Sequence, residues 1–273
     1  MIDANLDMID VNLAWTALLE NIMSAGHLTH PRGIATKESL GCKSVISMCN
    51  PTITINERAL GYHFLPAEAA WIISGYNTVD DIRPYSKAIS NFSDDGAFFF
   101  GAYGPRIKDQ LPHVISALRK DFDSRQAVLT IWRESPPASK DIPCTVSLQW
   151  TIRDNELHCF ANMRSSDAWL GVPYDWFNFS MVSAYLLLWL RKLDTRFSEV
   201  VLGNLHFYAA SQHLYESNWD KVRDILDKPT SFFEVAALDL SEFDHPEDFR
   251  CWLWSVADGD FAGNQRFLME LKK

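Results

Sequence analysis

Cys144 follows directly on Pro143 and leads into the strand-like run Thr145–Arg153. A thiolate is strongly nucleophilic and can leave again, which suits reversible addition to an electron-poor ring carbon. Next comes Arg164-Ser165-Ser166-Asp167. Its guanidinium fork matches phosphate oxygens, and a nearby arginine also favours a thiolate. Leu170-Gly171-Val172-Pro173-Tyr174 then brings Asp175 to the start of a helix. Glu68 lies apart from these, on the helical run Ala67–Ile73. An acid on an otherwise apolar face is costly to bury unless something uses it, and a burial-shifted carboxyl serves acid–base chemistry. Each residue also has a plainer reading. Cys144 could be a small core residue, Arg164 a strand-end ion pair, Glu68 a helix-dipole partner and Asp175 an N-cap.

The elements that must hold these groups are legible by periodicity. An amphipathic helix is expected from about Ile9 to Ala25, closed by Gly26. Residues 27 to 66 are broken by Pro31, Gly33, Gly41, Pro51 and Gly61, with β-prone stretches at Ser44–Met48 and Thr52–Ile55. Helices are read at Ala67–Ile73, ended by Gly75, and at Leu111–Lys120. Strands are read at Ala127–Trp132, Thr145–Arg153 and Leu157–Met163, the last two joined through Arg153-Asp154-Asn155 as an antiparallel pair. Trp176–Leu193 is apolar nearly all round, hence a central helix. A strand at Val200–Tyr208, a helix at His213–Leu226, a strand at Phe232–Leu240 and a helix at Pro246–Val256 complete the reading. The pattern is α+β, and one domain over residues 1–273 is expected.

The 273 residues are 47% hydrophobic, enough for a sizeable core, and carry a formal charge of −10. Nucleic-acid-binding domains are usually basic, so a general nucleic-acid surface is not expected, while a few converging arginines can still hold a small anion. The N-terminus MIDANLDMID lacks the regions of a signal peptide. The most apolar run, Met181–Leu190, falls short of the roughly 20 residues a membrane span needs. Five scattered cysteines with no CxxC pair suggest reduced thiols in a cytoplasmic protein and no metal site.

Pro143-Cys144, Arg164-Ser165-Ser166-Asp167 and Leu170–Asp175, in that order, resemble the core of the thymidylate synthase family, which places one carbon on C5 of a pyrimidine nucleotide. The resemblance runs from about Arg32 to Trp219 and is strongest over 124–208. It implies a large mixed sheet flanked by helices, and a homodimer whose active sites are shared across the interface. It implies Cys144 as the nucleophile, Glu68 as organiser of water and protons at the ring, and Tyr103 beside the nucleophile. Arg164, Ser165 and the loop residue Arg32 would bind the 5′-phosphate, with Arg125 donated by the partner. Gln126 stands where the family has a second arginine. His206 and Tyr208, one His-x-Tyr on a late strand, would meet the sugar 3′-hydroxyl. Asp167 and Gly171 would bind the folate co-substrate, 5,10-methylenetetrahydrofolate.

Asp175 stands where uracil-using members have asparagine and cytosine-using members aspartate. A carboxylate accepts from the cytosine amino group, whereas facing uracil O4 it would set two acceptors together. Thr145 after the nucleophile, and Asn162-Met163-Arg164-Ser165, resemble the phage deoxycytidylate hydroxymethylases. The tail Phe267–Lys273 does not resemble the segment that closes the methylases. The expectation is therefore a C5 hydroxymethylase of a cytidylate, CMP or dCMP. The alternatives are a C5 methylase of dUMP or a cytidylate, and a catalytically idle nucleotide-binding protein of the same fold.

Overall fold

The computed structural model describes residues 10–260. Helix α1 (Val11–Ala25) is capped by Asp10, whose carboxylate accepts from the amides of Asn12 and Leu13, and its start differs from expectation because Ile9 lies outside the described residues. Its buried face carries Trp15, Leu18, Leu19 and Ile22, and the Trp15 indole N–H donates to the Ala168 carbonyl at 2.8 Å. That bond ties α1 to the loop that follows Asp167.

Strands β1 (His27–Thr29) and β2 (Thr36–Ser47) come next, then α2 (Phe64–Ser74), α3 (Val79–Ile82) and α4 (Tyr103–Lys120). α2 ends at Gly75, whose φ of 76° is the left-handed turn that glycine tolerates. α4 begins two turns before the expected Leu111. Pro105 fits the helix's first turn, and the buried stripe Ile107, Leu111, Val114, Ile115 and Leu118 carries the helix through Pro112.

Strands β3 (Val128–Thr130), β4 (Thr145–Arg153), β5 (Glu156–Met163) and β6 (Ser166–Asp167) precede the long helix α5 (Val172–Leu193). Asp154 and Asn155 both have positive φ, 52° and 60°, as a two-residue hairpin between β4 and β5 requires. Along β5, Leu157, Cys159, Ala161 and Met163 are buried while His158, Phe160 and Asn162 are half-exposed. This alternation places the first set toward the helices.

β7 (Val201–Tyr215), α6 (Trp219–Asp227) and α7 (Pro246–Ala257) complete the described chain. Two expectations need correcting here. His213 lies in the strand and not in a helix, because β7 stays paired with β2 out to Thr36↔Tyr215. Phe232–Leu240 forms no strand: Phe232 makes an isolated bridge to Ile55, Leu238 N–H donates to the Cys49 carbonyl, and a short turn follows at Leu240–Glu242.

Among the described residues the sheet runs β1-β2-β7-β5-β4-β3, with β6 also on β7. It is mixed: β5 and β6 lie parallel to β7, and the other pairings are antiparallel. Helices α2, α4, α5 and α7 layer one face, with Trp176 and Phe179 of α5 packed on Phe207 of β7. The start of β4, the end of β5, β6 and the end of β7 meet at one end of this sheet. α5 starts there as well.

Candidate active site

The β4–β5 hairpin brings Cys144 and Arg164 together. Arg164 N–H donates to the Cys144 carbonyl at 2.9 Å, extending the ladder one step past Thr145↔Met163. A register shift between Thr145 and Ser147 bulges β4 just there, a device that re-aims side chains at strand ends. The Arg164 guanidinium is fixed on this loop, donating to Pro143 O at 2.9 Å and Ile142 O at 3.1 Å. It stands 3.8 Å from the Cys144 sulfur, with Ser165 Oγ 3.7 Å from the same atom. The guanidinium remains exposed and faces Trp132.

Arg164 was expected to favour the thiolate. The balance goes the other way. Burial pushes the Cys144 thiol up, and Arg164 and Ser165 offset only part of that. Cys144 therefore rests as a thiol. Alkylation of Cys144 by iodoacetamide, followed by peptide mass mapping, is expected to keep accelerating from neutral into alkaline pH. Arg164→Ala should slow it several-fold, roughly, at neutral pH. A plateau reached below neutral pH in the native protein would contradict this assignment.

Thr145 is fully buried and its hydroxyl donates to Tyr103 Oη at 2.9 Å. Tyr103 opens α4 and lies parallel to the Phe179 ring, 6.4 Å between centroids. Burial first, then the nearby Asp175 and Cys144, hold its phenol protonated well above the usual tyrosine range. Tyr103 is thus an O–H donor beside the thiol. Thr145, read in the sequence as a pointer to cytosine, serves instead to orient that phenol.

Asp175 lies in the first turn of α5, and the helix is capped by Gly171, so Asp175 is not the N-cap. Gly171 N–H donates to Asp167 O and its carbonyl accepts from Asp175 N–H, both at 2.9 Å. A side chain at 171 would press on Asp167 O at 3.0 Å, so glycine is what allows the two acids to approach. Asp175 is held well above the carboxylate range by burial, with the charges of Glu68 and Asp167 adding to it. Glu68, on α2, is pushed up to about 7 by burial, against which the Asn178 amide works by donating to Oε2 at 2.7 Å. The site therefore holds two carboxyls that burial keeps from ionising fully at neutral pH. Sites that perform proton transfer commonly show this pattern.

Asp167 accepts through Oδ1 from the amides of Trp169 (2.8 Å) and Leu170 (3.0 Å). Burial raises its carboxyl too. Leu170 beside it is 56% exposed. An acid with a second oxygen next to an exposed apolar residue fits a flat heteroaromatic N–H donor, which is the folate role that the resemblance implies. Arg58, buried, donates to the Trp169 carbonyl at 2.7 Å and lies 4.7 Å over the indole, fixing this loop from below.

The His-x-Tyr pair needs a correction. His206 and Tyr208 lie on the face of β7 opposite to Phe207, away from α5 and Asp175. His206 stacks on Phe160 at 4.5 Å, burial lowers its pKa to about 4, and Tyr208 is paired opposite Lys43. A second His-x-Tyr, His213-Leu214-Tyr215, falls on the same strand at the other parity, the one that Phe207 shares. His213 is Asp167's ladder partner, and Tyr215 Oη accepts from Arg32 at 3.0 Å. Sequence reading passed over this pair by assigning His213 to a helix. The repeat of the same triplet within one strand was the available signal.

Arg32 itself sits at the left-handed φ of 54° in the turn Pro31–Gly33, a strained setting for a non-glycine residue. Arg125 is placed elsewhere: its carbonyl accepts from Gln149 on β4, and its side chain is exposed. A cavity of about 950 Å³ among α2, α4, α5 and α7 shares none of these site residues.

The fold and the site define a class: a mixed sheet whose end presents a thiol under an arginine, facing a helix that carries a buried acid. The chain belongs to the thymidylate synthase family, whose sequence profile matches residues 13–258. Among its relatives are deoxyuridylate hydroxymethyltransferases of Bacillus phage SP01 (28% identical, covering 72% of this chain and 55% of the relative) and Pseudomonas phage M6 (30%, covering 63% and 49%). A putative thymidylate synthase of Methanothermobacter marburgensis is 28% identical, over 78% of this chain and 93% of that protein. The chain spans about half the length of the phage relatives it matches. These names overturn the cytidylate expectation, since the phage relatives carry deoxyuridylate in theirs. Burial of Asp175 favours its neutral form, which presents one donor and one acceptor and so does not single out cytosine.

Proposed function

We propose that the chain is a folate-dependent one-carbon transferase that hydroxymethylates C5 of a deoxyuridylate. The deoxyuridylate hydroxymethyltransferases among the relatives carry the reading, and the burial of Asp175, which favours its neutral form, is compatible with it. A neutral carboxylic acid has one donor and one acceptor, the same pair that an asparagine amide presents. Its O–H can donate to uracil O4 while its C=O accepts from N3–H. The conflict of two acceptors arises only for the ionised form. The phage relatives support the same base.

In this reading the substrate's phosphate lies under Arg164, Ser165 and Arg32, with Tyr215 steadying Arg32. The Cys144 sulfur adds to C6, which makes C5 nucleophilic. The folate supplies a carbon at the oxidation level of formaldehyde. C5 takes that carbon, loses its hydrogen, and water adds to the new exocyclic carbon with Glu68 accepting a proton. Cys144 then leaves C6. The net change is addition of CH2O to the base, with water consumed and tetrahydrofolate released. The protein acts as a homodimer in which Arg125 reaches the partner's phosphate, as the family resemblance implies.

The test is tritium release from [5-³H]dUMP with methylenetetrahydrofolate, followed by mass of the product. Release with a gain of CH2O is expected. A gain of CH2 would make the chain a methylase. Absence of release, with dUMP still bound, would make it an idle binder.

A further inference from the structure

Asn178 was not among the residues singled out by sequence, yet its side chain hydrogen-bonds Glu68. It lies three positions after Asp175 on α5, so the two side chains share a helix face. Its side chain is 3% exposed. Nδ2 donates to Glu68 Oε2 at 2.7 Å, while Oδ1 is buried and accepts nothing among the described residues. Such a group is costly to bury unless a ligand or water fills it. The amide orientation follows from its partner, since a carboxylate oxygen needs the N–H end. Two further buried polar atoms, the indole N–H groups of Trp71 (three residues after Glu68) and Trp176 (next to Asp175), also have no hydrogen-bond partner among the described residues. Unfilled donors and an unfilled acceptor therefore lie on the two helices that carry the acid pair.

We propose that Asn178 is a positioning residue that selects water as the final reactant: it holds one oxygen of Glu68 and offers its own carbonyl to the water that adds to the exocyclic carbon. The water then has two acceptors, Glu68 and Asn178 Oδ1, one for each hydrogen. Its lone pair is left pointing at the carbon. As the water's oxygen bonds to that carbon, one proton passes to Glu68, and the electron pair of the exocyclic double bond moves back to C5. Expulsion of the Cys144 sulfur from C6 completes the step. This inference rests on the hydroxymethylase reading, and the test separates the two.

Tritium release from [5-³H]dUMP precedes water addition, whereas hydroxymethyl product requires it. Both are measured in the native protein and in Asn178→Ala and Asn178→Ser, with 2-mercaptoethanol present to capture an unhydrated exocyclic carbon as its thioether. In Asn178→Ala, tritium release is expected to stay within about threefold of native while hydroxymethyl product per tritium falls about tenfold or more and thioether appears. Asn178→Ser, which keeps a small hydrogen-bonding group and guards against loss of folding, should recover part of the ratio. An unchanged ratio in both variants overturns the role of Asn178, as does an equal fall in both measurements. Failure of the native protein to release tritium, or a methyl product from it, overturns the hydroxymethylase reading instead.

Discussion

Replacing Cys144 with alanine is expected to lower tritium release from [5-³H]dUMP by about 10⁴-fold or more, since the whole covalent route depends on this sulfur. Binding of dUMP should change little. The groups assigned to phosphate and base, Arg164, Ser165, Arg32 and Asp175, hold their places through other partners. Arg164 is anchored on the Pro143 and Ile142 carbonyls, which the substitution leaves intact. Isothermal titration with dUMP, run beside the tritium assay, checks both halves. Comparable release from Cys144→Ala would remove the thiol from the mechanism. Wild-type binding with no release in either protein would point to an idle binder.

The parts of the site that are local in sequence were legible. Cys144 and Arg164 meet because a tight hairpin folds β4 onto β5, and the alternation and the Asp154-Asn155 turn that build the hairpin can be read directly. Glu68 could be picked out because it interrupts an apolar helix. The end of β7 could not be read in the same way. His213–Leu226 has the spacing of a helix, and His213 is a strand residue only because β2 and β6 pair with it from distant segments. That error shifted the His-x-Tyr assignment by seven positions, onto the wrong face of the sheet. Asn178 was hidden for a related reason. Its importance lies in a contact between α2 and α5 that no local pattern announces.

The protonation state of Asp175 is not legible in the sequence, because a side chain's identity does not fix it. Three segments have to fold together before Glu68 and Asp167 crowd this carboxyl and water is excluded from it. The sign then follows. Below its raised pKa, Asp175 is neutral and complements uracil. Above it, the donor is lost and a carboxylate faces O4. Turnover of dUMP should therefore fall as pH rises through that value, above the ordinary carboxylate range. Asp175→Asn keeps a donor and an acceptor without a titration, so at neutral pH its kcat/KM should stay within a few-fold of native, roughly, and its alkaline fall from this group should vanish. Asp175→Ala should lose about 10²–10³-fold in kcat/KM, because two hydrogen bonds to a buried base edge go unmade. Stability should respond in the same sense. The folded pKa of Asp175 exceeds the unfolded one, so between them the native state holds a proton that the unfolded chain has released, and stability falls as pH rises. Asp175→Asn removes that penalty, and its melting temperature should pull ahead of the native protein's progressively with pH. Melting curves and pH–rate profiles for the three proteins decide the matter: an alkaline limb unchanged in Asp175→Asn, with no divergence in melting temperature, would mean that Asp175 meets the base as a carboxylate.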